Sequence, residues 1–424
     1  MYLNICKTGA CLFVAMTVLS LVFLGCRNKN EQADHSPHES TEISVDSESS
    51  KVVDRPIADC QSNFLDLGIE FASLIPEKPF IKDRSKVQQE VVDTCLKLDQ
   101  PVRAKSYADR ISNWRMGLSY ANIAYYLADK GADSVKVQQG LHLAEQIAGM
   151  DHGLEWRNAQ IKVRIAQTYA LIGKLEVSEE IRANLPNTEI GKMIRTDIKL
   201  DDDKLFDEHI VAIDAAIALK DFDVLIPALY AMTDLYDVYY DDTDKVAILE
   251  EKIRSGFSDL PINIRFELLV KLASHSVDRD DKAKASELIT QAQEFLDNYS
   301  WPVEKQITLT AEISRLYFGV GQIQNAQLYL DKCISLFDEN IDKIHDFQRA
   351  ETLIPVAEVY HLIGQPVKAV EIYKLAVEQG VLNPNKRQWA EDMAQICCSL
   401  ASIALEPDKE LMNRINNICE ELKL

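Results

Sequence analysis

Residues 114–131 read Trp-Arg-Met-Gly-Leu-Ser-Tyr-Ala-Asn-Ile-Ala-Tyr-Tyr-Leu-Ala-Asp-Lys-Gly, and residues 156–173 read Trp-Arg-Asn-Ala-Gln-Ile-Lys-Val-Arg-Ile-Ala-Gln-Thr-Tyr-Ala-Leu-Ile-Gly. Set side by side without a gap, these 18 positions share six identities: Trp114/Trp156, Arg115/Arg157, Ile123/Ile165, Ala124/Ala166, Ala128/Ala170 and Gly131/Gly173. The offset is 42 residues. Self-similarity at a fixed period of this size is the signature of a repeat architecture, in which one supersecondary unit is stacked many times.

The unit is a helical hairpin. From Trp156, the residues Ala159, Val163, Ala166 and Ala170 recur at steps of three and four, which is one stripe of an α-helix. The earlier copy carries Trp114, Gly117, Ala121, Ala124 and Ala128 on the same stripe. Small residues there let a neighbouring helix approach closely, and the aromatic at the first turn is expected to fill the space where helices splay. Gly131 and Gly173 stop the helix, because glycine accepts the left-handed conformation of a C-terminal cap. A second apolar-periodic run comes next in each copy: Val135, Val137, Leu141, Leu143 and Ile147, then Leu175, Val177, Ile181 and Leu185. A single hairpin cannot bury its apolar face, but stacked copies can. The fold class expected is therefore all-α, a right-handed α-solenoid of hairpins with a period of about 42 residues.

Ile165-Ala166-x-x-Tyr169-x-x-x-Gly173 and Val356-Ala357-x-x-Tyr360-x-x-x-Gly364 resemble the first helix of tetratricopeptide-type repeats. Ile313-Ser314-x-x-Tyr317-x-x-x-Gly321 fits with Ser in the alanine place. The resemblance implies antiparallel hairpins and a protein-binding surface. The period is longer than that family's usual ~34 residues, which implies longer helices or turns.

The rest of the chain keeps the same rhythm. Residues 57–75 and 84–112 read as opening helices, broken at Pro76 to Pro79 and near Pro101. Units at 113–149 and 154–185 are followed by an irregular stretch, and further units run over 224–256, 262–298, 303–339, 344–380 and 386–423. Pro227 and Pro355 fall inside first helices, where proline removes a backbone donor and crowds the preceding turn. Asp280 stands where a glycine is expected. No β pattern emerges.

The chain has 46 Lys and Arg against 67 Asp and Glu, a net charge of −21. This balance argues against a nucleic-acid partner. Before residue 26, Lys7 is the only charge ahead of an apolar run from Ala10 to Leu24. The run is shorter than the ~20 residues a membrane span requires and has the shape of an export signal. Leu21-Val22-Phe23-Leu24-Gly25-Cys26 resembles the lipobox of bacterial lipoproteins. That resemblance implies that Cys26 is acylated, begins the mature chain and anchors it to a membrane on the extracytoplasmic side. Residues 27–56 have six serines, no aromatic residue and a surplus of acids. Such a segment buries too little apolar area to offset its ordering entropy, so it reads as a tether. The expected layout is a signal over 1–26, a tether over 27–56 and a helical repeat domain over 57–424.

The sequence contains no Gly-rich phosphate loop, no His-Glu-x-x-His, no Gly-x-Ser-x-Gly and no Cys-x-x-Cys. No catalytic residue, metal site or cofactor is expected. His35 and His38 in the tether lack a third ligand. Asp241-Asp242-x-Asp244 and Asp278-x-Asp280-Asp281 resemble calcium loops but lack the glycine and distant glutamate of that motif, so they read as helix caps. Beside the packing stripe lie Arg115, Asn122 and Tyr126 in one copy and Arg157 and Arg164 in the next. Arg115, Tyr126, Arg157 and Arg164 are the candidate partner-binding residues, suited to a carboxylate-bearing protein or peptide. Export exposes thiols to oxidant, and Cys60 with Cys95, and Cys398 with Cys419, flank terminal turns at spacings that would allow a bridge. The functional expectation is a lipid-anchored extracytoplasmic scaffold for protein–protein interaction. The rivals are an enzyme or accessory with a site of scattered residues, and a structural spacer.

Overall fold

A computed structural model describes residues 53–150, 152–185, 203–219, 222–257 and 260–424. The expected anchor Cys26, the histidines His35 and His38, and residues 186–202 of the irregular stretch 186–223 lie outside the described residues. Among the described residues there is no strand, and no helix is long and apolar enough to cross a membrane. Eighteen α-helices are described: α1 (Asp59–Leu74), α2 (Glu77–Lys97), α3 (Pro101–Ala108), α4 (Arg115–Asp129), α5 (Ser134–Ala148), α6 (Glu155–Leu171), α7 (Leu175–Ala183), α8 (Asp203–Leu219), α9 (Phe222–Val238), α10 (Thr243–Phe257), α11 (Ile262–Asp278), α12 (Lys282–Asn298), α13 (Val303–Gly319), α14 (Ile323–Asn340), α15 (Asp346–Leu362), α16 (Pro366–Val381), α17 (Lys386–Ser402) and α18 (Lys409–Lys423).

The hairpin solenoid is as expected. α4 pairs with α5, α6 with α7, α9 with α10, α11 with α12, α13 with α14 and α15 with α16. First helices pack on first helices: α4 on α6, α9 on α11, α11 on α13, α13 on α15 and α15 on α17. The small residues of the stripe make this possible. A Cβ added to Gly117 would lie 2.7 Å from Ile147 Cγ2 and 2.9 Å from Ile161 Cδ1, so α4 could not keep its place with a larger residue there. Gly131, Gly173, Gly321 and Gly364 all hold φ between 66° and 82°, the left-handed cap that ends a first helix. Asp280 takes the same role with φ 57°, as aspartate can. α9 and α15 run through Pro227 and Pro355 without ending.

The tyrosine of the repeat motif is a strut between units. Tyr169 donates to Glu145 Oε1 at 2.8 Å, Tyr317 to Gln293 Oε1 at 2.9 Å and Tyr360 to Asp331 Oδ1 at 3.2 Å. Each acceptor lies on the second helix of the preceding unit. Part of the acidic surplus is therefore structural, because carboxylates on one unit receive the hydroxyls of the next.

The two tryptophans that open the repeat do not share a role. Trp114 is 5% exposed and sits in the core, whereas Trp156 is 43% exposed. Trp156 stands edge-on against Trp114, with ring centroids 5.2 Å apart. The expectation that both indoles fill interhelical space holds for Trp114 alone.

The ends of the chain correct a second expectation. The unit 386–423 is not a hairpin, since α18 touches α17 only lightly. The helix laid along α17 in the second-helix position is α1, from the other end of the chain. α2 then packs on α17 and on α4, continuing the first-helix layer, with α3 as its second helix. The order of first helices in space is α9, α11, α13, α15, α17, α2, α4, α6. One continuous core holds Phe64, Ile69 and Phe71 of α1, Met393 and Leu400 of α17, and Val91 of α2, all essentially without exposure. Each such side chain contributes roughly 1.5–3 kcal/mol by leaving water. Polar contacts close the same seam. Gln61 Nε2 donates to Ala401 O at 2.8 Å, Arg387 Nη1 meets Asp83 Oδ2 at 2.6 Å, and Lys423 Nζ meets Glu70 Oε1 at 2.7 Å. Ala404, with φ 53°, ends α17 as glycine ends the other first helices. α18 lies over α1, α16 and α17, with Leu411, Ile415, Ile418 and Cys419 buried.

The folded part begins earlier than residue 57. Asp54 accepts the backbone N–H groups of Val102 and Arg103 at 2.7 and 3.2 Å and so caps α3, and Arg55 N donates to Asp99 O at 2.9 Å.

Candidate functional site: the free face of the first-helix layer

First helices turn one side to their second helices and leave the other uncovered. Across the seam this free side of α17, α2, α4 and α6 is charged. Lys86 lies 3.6 Å from Glu90, both on α2. Asn122 of α4 donates to Asp93 of α2 at 3.1 Å, and Arg115 Nη1 donates to Gln89 Oε1 at 2.7 Å. Arg387 of α17 approaches Glu391 at 3.5 Å while holding Asp83. Crowding by neighbouring helices has a clear electrostatic effect. Burial raises the Glu90, Asp93 and Glu391 carboxyls above the usual range, against the lowering pull of Lys86 on Glu90, of Asn122 on Asp93 and of Arg387 on Glu391. Burial also pulls the Arg115 guanidinium down, opposed by Glu90 and Asp93.

The structure brings three of the sequence candidates close to this patch. Arg115 lies within it. Arg164 reaches over from α6, its guanidinium 4.6 Å from the Tyr125 ring centroid, and its charge opposes in small part the rise that burial gives the Asp93 carboxyl. Tyr126 sits at the turn end of α4 and donates to Asp99 Oδ1 at 2.6 Å, with Lys130 over its ring at 5.5 Å. Arg157 makes its own contacts, its Nη1 donating to His152 O at 2.5 Å and its guanidinium lying 5.6 Å from the Trp156 ring centroid, while its charge still acts on Arg115. Sequence reasoning found the arginines and missed the acids they face. Glu90 and Asp93 come from α2, the first helix of the unit before α4, and Glu391 comes from α17, which only the seam brings beside α2.

The thiols are unbridged in this structure: Cys60, Cys95, Cys333, Cys397, Cys398 and Cys419 are all free. The sequence pairs Cys60/Cys95 and Cys398/Cys419 are not formed. Cys398 instead faces α2, where it bonds the Thr94 side chain and neighbours Cys95, and Cys397 neighbours Cys419. Burial pushes the Cys95 and Cys398 thiols up, Cys398 to about 12, so they resist forming thiolate. No three of His, Cys, Asp and Glu gather as metal ligands among the described residues. The acidic turns are caps: Asp242 Oδ1 accepts Lys245 N at 3.1 Å, and Asp281 Oδ1 accepts Lys284 N at 3.0 Å.

A second charged group lies further along the layer. Arg315 Nη2 of α13 meets Glu358 Oε2 of α15 at 3.0 Å, and Ser399 of α17 donates to Glu358 Oε1 at 2.6 Å. Tyr373 and Ser399 share a hydrogen bond of 2.6 Å. This chain of contacts ties three units together through a carboxylate that is almost wholly buried.

No protein-family model matches this chain, and no curated relative does. Solved structures similar to it include a circular tandem repeat protein with novel repeat topology and enhanced subunit contact surfaces (12% identity, TM-score 0.29, 86% of this chain and 95% of that chain). Another is yeast Tom70 (12% identity, TM-score 0.25, 80% of this chain and 84% of that chain).

Proposed function

We propose that this protein is a lipid-anchored, extracytoplasmic scaffold that holds a protein partner against the free face of α17, α2, α4 and α6, and that it is not an enzyme. The observation that carries the binding reading is the charged patch of Glu391, Lys86, Glu90, Asp93, Asn122, Arg115 and Arg164. These side chains face one another across three helix seams instead of the core, and a partner's side chains can replace any of those contacts without unfolding the array. The apolar run ending at Gly25-Cys26 supports the anchor, with Cys26 acylated. Burial raises several carboxyls of the patch, so a cationic group from a partner would gain most by settling there, while Arg115 and Arg164 suit its carboxylates. A photo-crosslinking residue at Asn122, in membranes carrying the full chain, should capture a discrete partner. The same residue at Gln138 on α5 should not. Arg115→Glu with Arg164→Glu should weaken that capture at unchanged helix content, and full capture by the double variant would contradict the assignment of the patch.

A further inference from the structure

The edge along which first helices turn into second helices is divided. At five turns an aliphatic side chain stands uncovered in the first turn of the second helix: Val102 (α3), Val135 (α5), Leu175 (α7), Ile323 (α14) and Val367 (α16), between 43% and 72% exposed. Val53 joins this row, since the next residue, Asp54, caps α3 at Val102. The turns after α9 and α11 hold Asp241, Asp242 and Asp244, and Asp280 and Asp281, with no exposed aliphatic larger than Ala283 in the first turn of α10 or α12. The repeat therefore does not impose the row. It occupies α13/α14, α15/α16, α2/α3, α4/α5 and α6/α7, which succeed one another in space on either side of the α17/α1 seam.

Neighbouring helices stand about 8–10 Å apart, so these side chains form separate pegs. A partner helix would require a continuous groove. Lysines stand at the same edge, with Lys130, Lys174 and Lys368 lying 5.5, 5.7 and 5.3 Å from the Tyr126, Tyr169 and Tyr360 ring centroids. Aliphatic pegs interleaved with lysines suit the interface of a bilayer, where the alkyl groups enter the acyl boundary and the ammonium groups meet phosphate. The described chain also starts on this edge, at Val53. Residues 27–52 separate it from Cys26, a contour of at most about 90 Å, so an anchored chain keeps this edge within reach of the membrane.

We propose that this aliphatic turn edge seats on the lipid surface, with Ile323, Val367, Val102, Val135 and Leu175 entering the headgroup layer and the acidic turns after α9 and α11 facing water. The proposal takes its bilayer from the lipid-anchored reading above. The test uses the full chain with a polarity-sensitive dye at Val135→Cys, Val367→Cys or, as reference, Asp241→Cys, in a Cys60→Ser, Cys398→Ser background of unchanged helix content. In vesicles of phosphatidylcholine and phosphatidylglycerol, dyes at 135 and 367 should shift to the blue. A nitroxide lipid should quench them severalfold more than the dye at 241. Aqueous emission at all three sites in the vesicle-bound chain overturns the proposal. A blue shift that needs no lipid and grows with protein concentration also overturns it, and assigns the edge to a second copy. Adding Cys26→Ser separates the two readings. If the acylated chain floats with vesicles while its dyes stay aqueous, the seat falls and the anchor stands; if the Cys26→Ser chain still shows the shift on adding vesicles, the seat stands without the anchor.

Discussion

The hairpin of α15 and α16 and the pairing of α17 with α1 are the same structure made in two ways. In the first, a left-handed Gly364 turns one helix into the next within a few residues. In the second, a left-handed Ala404 ends the first helix, and its partner arrives from the opposite end of the chain, Gln61 meeting Ala401 across 340 residues. Both bury a wide apolar face along their whole length. The comparison teaches that helix faces select partners and that chain proximity only makes the choice easy. It also shows what closure costs: a short turn leaves little loop entropy, whereas the α17/α1 pair must be held by packing against that entropy.

The largest effect should come from the α1 face. Phe64→Ala removes a wholly buried ring and should cost about 3–5 kcal/mol. Phe337→Ala in α14 should cost a similar amount, also about 3–5 kcal/mol. The two should differ in hydrogen exchange, because only Phe64→Ala should strip protection from α1 and α17 together. Equal protection maps for the two variants would mean that the seam is no weaker than a covalent hairpin.

The tryptophans sharpen the comparison inside one repeat. Trp114→Ala should lose about 3–5 kcal/mol as a core truncation. Trp156→Ala, half in water, should lose roughly 1 kcal/mol, mostly its edge-on contact with Trp114. Thermal melts of the pair would check this, and equal losses would contradict the packing described.

A pH measurement tests the layer beside the seam. Asp392 of α17 is about 1% exposed, accepts Gln388 Nε2 at 2.8 Å on Oδ1, and is raised by burial to about 8. The unfolded carboxyl releases its proton near the ordinary value of about 3.9. Between these values the folded chain binds a proton that the unfolded chain does not, so stability falls as pH rises from acid toward 8. Glu90, Asp93 and Glu391, also raised by burial, add to the same slope. Asp392→Asn should flatten part of it and stabilise the chain at pH 8 by an amount on the order of 1–3 kcal/mol, each pKa unit being about 1.4 kcal/mol. Denaturant midpoints at acid and alkaline pH would show it.

The smallest effect belongs to the seam's ion pair. Arg387→Ala frees Asp83, and because both side chains are partly solvated the loss should stay near or below about 1 kcal/mol. A loss as large as that of Phe64→Ala would shift the closure from packing to electrostatics.

Much of the fold was legible in the sequence, and the reasons are specific. Gly117, Ala121 and Ala124 mark a face that helices approach closely, Gly131 and Gly173 mark its end, and Asp242 and Asp281 cap the second helices α10 and α12. Each signal acts within a few residues. The α17/α1 pair was not legible, because an apolar face declares that it must be buried and does not declare against what. One hint was present. Leu411, Ile415, Ile418 and Cys419 of α18 form a single narrow stripe, as suits a helix lying over others, whereas α1 buries Phe64, Leu65, Gly68, Ile69, Phe71 and Ala72 over a broad front. The candidate site was half legible for the same reason. Arg115 and Arg164 came from the repeat register, and Glu90 and Asp93 stand on the neighbouring first helix α2, but Glu391 of α17 joins them only through the seam. The different fates of Trp114 and Trp156 show the limit of identity within a repeat, because equal register does not bring equal neighbours.

The central claim is that the first and last helices of the described residues, α1 with α17 and α18, close on each other within one molecule. A carbodiimide joins an amine to a carboxylate only where the two touch, and Lys423 Nζ lies 2.7 Å from Glu70 Oε1. Treating a mixture of isotopically light and heavy chains and sequencing the cross-linked peptides measures the closure directly. The account predicts a peptide pair joining Glu70 to Lys423, all light or all heavy. Absence of that pair in folded protein, or its appearance chiefly as mixed light–heavy peptides, would contradict it.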